Sequence, residues 1–369
     1  MNMIRNAAIA AAPTAFETPG DVYNATPPRI VFGAGSAGRV ADEVRRLGCR
    51  RALVVSTPGR GAMAQRVVDS LGDLCAGLLP EAISQVPIEL ARTGRVKARE
   101  MAADCLVSVG GGASIGLGKA ISLELALPII AIPTTYSGSE VTGFCGITID
   151  NVKRMHTSLH MLAATVIYDP ELSLSLPVEV SAASAMNALA HCVDAVYVPT
   201  VNPMNAMAAA EGAGAIVEGL RRVVADPGDL GARTQLLYGA YLAGAALAGG
   251  FALQHGLAHT LGGSFGVPHG LSHALVLPHV AAYNAQFAPE KIGTIEAALS
   301  TPSIGSALFQ LLGDVGLPTR LRDVGIGESD VAEIARITVE TDNGLNPGPV
   351  TQEAVTQITR AALDGQRPR

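Results

Sequence analysis

Nothing in this chain gathers basic charge. Its 26 Lys and Arg are outnumbered by 32 Asp and Glu, the formal net charge is −6, and the cations are scattered. A phosphate backbone needs a basic stripe to displace its counterions, so nucleic acid is not expected as a partner. Long unbroken apolar runs are missing too. The most apolar stretch, GAYLAGAALAGGFALQHGLAH, is interrupted by glycines and histidine. Ala and Gly contribute little lipid-transfer energy, so it reads as buried helix and no membrane partner is expected. The opening MNMIRNAAIAAAPTAF carries one arginine and no leucine-rich core, so residues 1–28 read as an N-terminal extension rather than a secretory leader. The five cysteines, Cys49, Cys75, Cys105, Cys145 and Cys192, form no CxxC pair and are odd in number. That usage suits a reducing cytoplasm, with most of them core residues.

A length of 369 residues is enough for two ordinary domains. Up to about residue 168, the short runs RIVFG, RALVVST, CLVSVGGG, LPIIAIPTT, FCGITID and TVIYD alternate with amphipathic helical segments. Alternating strands and helices predict a doubly wound parallel sheet over residues 29–168, an α/β dinucleotide-binding domain. From residue 169 to 369 alanine-rich helical patterns take over, punctuated by Pro177, Pro203, Pro268 and the Gly262-Gly263 pair, and predict an all-α catalytic domain. The active cleft is expected between the two halves.

Gly33, Gly35 and Gly38 in RIVFGAGSAGRVADEV fit the dinucleotide fingerprint literally. That fingerprint needs an acid about 20 residues on to hold the ribose, and the next strand ends in Ser56 and Thr57 instead. The first glycine group therefore reads as a tight turn into a helix. The second, CLVSVGGGASIGLGK from Cys105 to Lys119, places three glycines between a strand and a helix. Residues without Cβ atoms let backbone N–H groups close on a pyrophosphate, and the helix N-terminus adds partial positive charge. The diphosphate is assigned to Gly110, Gly111, Gly112, Ala113 and Ser114; a turn used only for packing is the alternative. The GK[ST] ending of a Walker loop is absent. A third element, IPTTYSGSEVTGF, brings Thr134, Thr135, Tyr136, Ser137 and Ser139 to the end of a buried strand. Ligand contact and a loop satisfying its own backbone both remain open for it.

Asn187 and His191 are four residues apart, as are His255 and His259, so each pair shares one helix face. Pro268 starts another helix with His269 in its first turn. A buried imidazole needs hydrogen-bond partners, so histidines at these spacings among Ala and Leu read as a site rather than as packing. His273 and His279, beyond Gly270, are read as structural or rim residues.

These residues together resemble the iron-containing, group III alcohol dehydrogenases, and within them the maleylacetate reductase branch. The resemblance runs from Pro28 onward and rests on GGGASIGLGK, IPTTYSGSEVT, Lys153, YDPEL, the Asn187/His191 helix, HGLAHTLGGSFGVPHG, LPHVAAYN and NPGPV at 346–350. It implies a dehydroquinate synthase-like fold, with an N-terminal nucleotide domain and a helical C-terminal domain. Metal-dependent members follow GGGSxxDxAK and TTAGTGSE, with an aspartate four residues before the first ligand histidine. Here Gly116 replaces the first acid, the TTYSGSE loop is one residue shorter with Tyr136 in place of a small residue, and Asn187 replaces the ligand aspartate. Gly348 stands where the resemblance leads one to expect arginine.

The resemblance implies NAD(P)H-dependent reduction of the carbon–carbon double bond of maleylacetate to 3-oxoadipate, in the breakdown of aromatic compounds. Hydride addition to this enone yields an enolate, a more stable anion than an alkoxide, so hydrogen-bond donors are expected to suffice without a metal. Should a metal bind, His191, His255 and His269 would be its ligands, since three histidines still hold zinc. In this reading His255, His191 and His269 polarise the ketone, Asn187 orients an imidazole or donates to the substrate, and Tyr136 donates a hydrogen bond. His259 lies beside the nicotinamide. Cofactor contacts are expected from Thr57, Gly110, Gly111, Gly112, Ala113, Ser114, Thr134, Thr135, Ser139, Lys153 and His259, and Lys153 and Arg154 are candidates for the substrate carboxylates. With Thr57 at the second strand end nothing repels a 2′-phosphate, so NADH and NADPH are both expected to serve. The partners expected are a small dicarboxylate and a second copy of the chain, with the N-terminal segment available for strand exchange. Rival readings are a metal-dependent alcohol or aldehyde dehydrogenase of the same family, a dehydroquinate-synthase-like lyase, and a non-catalytic nucleotide sensor.

Overall fold

The computed structural model describes residues 28–150 and 152–368. All but the last residue of the expected N-terminal extension, and its strand exchange, lie outside the described residues. The chain divides into two compact units that meet at Leu176 and Pro177.

The first unit contains β1 (Arg29–Phe32), α1 (Val40–Arg46), β2 (Ala52–Val55), α2 (Gly61–Leu71), β3 (Cys75–Leu79), α3 (Ile88–Glu100), β4 (Cys105–Gly110), α4 (Gly112–Leu125), β5 (Ile129–Pro133), β6 (Phe144–Ile149), β7 (Val152–Thr157) and β8 (Thr165–Tyr168). Among the described residues six strands form one parallel sheet in the order β1-β8-β5-β4-β2-β3. The four inner strands are buried along their whole length, which is why they read as unbroken apolar runs, whereas the edge strands β1 and β3 keep partly exposed positions. β6 and β7 pair apart from this sheet as an antiparallel hairpin. Val40, Val44, Met63, Val67 and Leu71 from α1 and α2 pack on Val54, Val107, Val109, Ile130, Ile132 and Ile167 of the sheet.

The unit continues past β8 to Leu176 rather than closing at residue 168, because Asp169 ties back to its start. Its carboxylate accepts the N–H groups of Gly35 at 3.1 Å and Ala37 at 3.0 Å. The donors of the first glycine group are thereby occupied by the protein itself, as a tight turn requires.

The second unit contains α5 (Val178–Tyr197), α6 (Pro203–Ala225), α7 (Leu230–Leu247), α8 (Leu253–Ser264), α9 (His269–Ala285), α10 (Pro289–Ala298), α11 (Ile304–Asp314), α12 (Val331–Glu340) and α13 (Gln352–Asp364). Proline occupies the N-cap of α5 and α9 and the first turn of α6, where a missing N–H costs nothing. Asn202 and Asp229 cap α6 and α7 by accepting N–H groups of Asn205 and Ala232, both at 2.9 Å. Leu253, Leu257 and Leu261 of α8 join Leu275, Val276 and Val280 of α9 and residues of α12 and α13 in one core. α5 and α9 approach so closely that a Cβ on Gly270 would lie 2.9 Å from the Ala183 backbone. Among the described residues no helix is long and apolar enough to cross a membrane.

Candidate active site

The second glycine group sits at the carboxyl ends of β4 and β5, where open α/β sheets bind ligands. Gly110 has φ +141°, and a Cβ there would lie 2.4 Å from Ser114 Oγ; one on Gly111 would lie 2.8 Å from Thr135 Cγ2. No side chain caps the N-terminus of α4. Among the described residues the buried hydroxyls of Ser114 and Thr134 have no hydrogen-bond partner, although Thr134 N–H donates to Gly110 O at 3.0 Å. Uncapped helix amides beside two unpartnered hydroxyls fit a phosphate-bearing ligand. Thr57 follows β2 at the same end of the sheet, with Ser56 Oγ donating to Val109 O at 3.0 Å.

Gly116 is explained by packing, since a Cβ would lie 2.8 Å from Val86 Cγ2. Lys119, at the end of this motif, has a structural task that sequence reasoning missed. Its fully buried ammonium donates to the Ser139 carbonyl, to Ser139 Oγ at 3.2 Å, to Thr142 Oγ1 at 3.0 Å and to Phe144 O at 3.0 Å. Burial lowers its pKa to about 8. Ser139 is thus bound to Lys119. Tyr136 is wholly buried in this unit, and Ser137 donates to the buried Glu140 at 3.5 Å, which also accepts from Tyr168 at 2.7 Å. Lys153 lies on the hairpin with its stem against Gly146, where burial lowers its pKa, and Arg154 beside it is exposed.

In the second unit, α5, α8 and α9 bring five imidazoles together. His191 stacks on His255 at 5.1 Å between ring centroids, and His259 on His269 at 6.0 Å. His273 lies edge-on to His255 at 4.8 Å and to His269 at 4.7 Å. Exposure grades through the group: His269 is exposed, His259 half-buried, and His191, His255 and His273 buried. Burial, followed by the neighbouring histidines, pushes the pKa of His191 and of His273 well below the ordinary imidazole value, so both rings are held neutral. Asn187 is buried one turn before His191, and its Oδ1 has no partner.

Asp194, three residues after His191, was missed by the sequence reading. It is wholly buried and accepts His255 Nδ1 at 2.7 Å, Ala252 N–H at 2.7 Å and the Tyr197 hydroxyl. That contact fixes the tautomer of His255 and leaves Nε2, which has no partner among the described residues, as its working atom. A lone acid inside the apolar run AHCVDAVY was the available signal, because a buried carboxylate needs a partner. His273, expected to be structural or at a rim, lies at the centre of the cluster. Its four-residue spacing from His269 repeats that of the other pairs. His279 stands apart, 6.1 Å from the Phe309 ring, and burial lowers its pKa to about 4.

A divalent metal would need donors that converge. His191, His255 and His269 do not bring one nitrogen each within 4.8 Å of one another; among the described residues only Cys49, Asp104 and Cys105 form such a trio. Both Asp104 oxygens there accept the backbone N–H groups of Arg50 and Arg51, each at 2.8 Å. Asn187 stands in place of a carboxylate and Asp194 is turned to His255 Nδ1, so the donors left for a divalent ion here are imidazoles. The segment around Gly348 likewise offers no cation: a Cβ on Gly348 would lie 2.5 Å from the Phe287 ring, and its carbonyl accepts Asn346 Nδ2 at 2.8 Å.

The descriptions "Iron-containing alcohol dehydrogenase" and "Fe-containing alcohol dehydrogenase family, C-terminal" match residues 27–170 and 181–363. A maleylacetate reductase of Burkholderia cepacia is 43% identical over 94% of this chain and 99% of its own length. The crystal structure of maleylacetate reductase from Agrobacterium tumefaciens superposes with a TM-score of 0.91 at 42% identity, covering 95% of this chain and 100% of that one. An iron-containing alcohol dehydrogenase from Corynebacterium glutamicum does so equally, with a TM-score of 0.91 at 42% identity, covering 95% and 99%.

Proposed function

Because the chain belongs to the iron-containing alcohol dehydrogenase family, we propose that it is a maleylacetate reductase, using NADH or NADPH to reduce maleylacetate to 3-oxoadipate without a resident metal. The observation that carries this reading is the unpartnered Nε2 of His255, aimed by Asp194 into a group of imidazoles that contains no carboxylate ligand. Gly110, Gly111, Gly112, Ala113 and Ser114 would hold the diphosphate, with Thr134 and Thr135 beside it. Bound nicotinamide supplies a hydride to the double bond and takes none of the substrate's oxygen chemistry.

The residues of the second unit handle what the hydride leaves behind. As the new C–H bond forms, the π electrons of the double bond move toward the ketone, and its oxygen gains negative charge. A proton on His255 Nε2 hydrogen-bonds that oxygen, while Asp194 accepts Nδ1–H on the other side of the ring. His191 and His269 are its neighbours in this polarising group, and Asn187 supplies an amide donor. The proton then passes to the carbon next to the ketone, so one hydride and one proton saturate the bond. His259 borders the nicotinamide in this reading. We further propose that the protein works in the cytoplasm as a homodimer.

The test is nicotinamide oxidation with maleylacetate before and after exhaustive chelation, with metal content measured on the same sample. Oxidation that survives in metal-free protein is the expected outcome. Activity that appears only with added iron or zinc, on simple alcohols or aldehydes, would assign the chain to the metal-dependent branch instead.

A further inference from the structure

Among the buried polar groups that the reading above leaves without a task, His273 is the one in contact with the other imidazoles. His273 has no solvent exposure, and among the described residues neither Nδ1 nor Nε2 has a hydrogen-bond partner. Its ring meets each of the other four imidazoles, at centroid distances of 4.7 Å to His269, 4.8 Å to His255, 5.8 Å to His259 and 6.4 Å to His191. The position is held from behind: Gln254 Nε2 donates to the His273 carbonyl at 3.1 Å, Ser272 Oγ donates to His269 O at 2.8 Å, and Gly270 lets α9 close on Ala183. A ring placed this firmly with neither nitrogen bonded to the protein keeps its hydrogen-bonding capacity for a ligand, which an apolar side chain of similar volume would not offer. Buried polar atoms left unpaired in this way point to a partner that arrives from outside.

We propose that His273 contacts the substrate and sets the preference for an oxygen-rich enone dicarboxylate over a simple aldehyde or alcohol. A neutral imidazole offers one donor and one acceptor, and a charged one offers two donors. A ligand with a ketone and two carboxylates brings several anionic or polar oxygens to a buried ring, whereas an aldehyde brings one. His273 thus extends the polarising group from His255 downward, at its most buried point. This inference rests on the maleylacetate reading and adds a specificity-determining residue to it.

The experiment compares the wild-type chain with His273→Leu and His273→Phe, both of which fill the space without hydrogen bonds. Readouts are kcat and KM for maleylacetate, KM for NADH, and Tm. The expected result is a Tm equal to or above that of wild type, an unchanged KM for NADH, and kcat/KM for maleylacetate lowered at least about 100-fold. A kcat/KM within about threefold of wild type in either folded variant overturns the inference. Failure of both variants to fold overturns it as well, since it assigns His273 to packing. Wild-type protein that does not oxidise NADH or NADPH with maleylacetate removes the underlying reading, whereas wild-type turnover alongside indifferent variants removes this inference alone.

Discussion

Where the first unit offers a ligand the bare backbone of Gly110 to Gly112 and the open end of α4, the second offers side chains from three helices, α5, α8 and α9. The two kinds of site fail differently. A backbone site depends on what is missing from the side chains, so an added methyl group spoils it. A side-chain site depends on partners that aim each group, so deleting a partner spoils it while leaving every contact atom present. His255 without Asp194 would still be an imidazole in the same place, with nothing to select which nitrogen carries the proton.

The largest effect expected from this contrast is therefore at Asp194. Asp194→Asn removes the carboxylate that accepts His255 Nδ1, and kcat should fall by roughly 10²–10³-fold with the helical circular-dichroism signal retained. A variant with near-normal kcat would show that His255 needs no aiming. His279 supplies the next, since it is an imidazole of α9 outside the cluster. Its pKa, about 4 in the folded chain, lies below the ordinary value of 6.5. The unfolded state therefore binds the extra proton first, so the stability associated with this group is complete above about pH 6.5 and is lost as pH falls toward 4. The loss amounts to about 3 kcal/mol by pH 4. His279→Leu should flatten that part of the denaturant-midpoint profile, and an unchanged profile would clear this residue of the effect. Gly110→Ala tests the backbone site: the left-handed conformation and the Ser114 contact should raise KM for NADH about tenfold and lower Tm by a few degrees. The smallest effect is expected at Thr57. Thr57→Asp should raise KM for NADPH several-fold and leave that for NADH nearly unchanged. Equal effects on both cofactors would mean that this strand end does not reach the ribose.

The same contrast explains what the sequence disclosed. The parallel sheet was legible because its inner strands are buried along their length and so appear as short apolar runs. Gly110 to Ser114 was legible because a glycine group between strand and helix is a local pattern. His191, His255 and His259 showed through their helical spacing, and His269 through the proline that starts its helix. Asp194 did not, because its partner lies 61 residues away and the pairing is made by helix packing, which no local spacing encodes. His273 carried the right spacing but looked like any core residue of an alanine-rich helix until both its nitrogens proved unsatisfied. Lys119 was invisible as a clamp for the same reason as Asp194: its acceptors lie on a loop 20 to 25 residues further on.

Asp169 makes the first glycine group a keyhole already holding its own key. The carboxylate seated on the amides of Gly35 and Ala37 stands where a phosphate would sit if the fingerprint were what it spells, and it is delivered by the strand next to the one that the loop follows. A decoy of this kind has a topological use. The two strands at one margin of the sheet are stitched together by a bond that no nucleotide can compete for without first undoing the sheet's own closure.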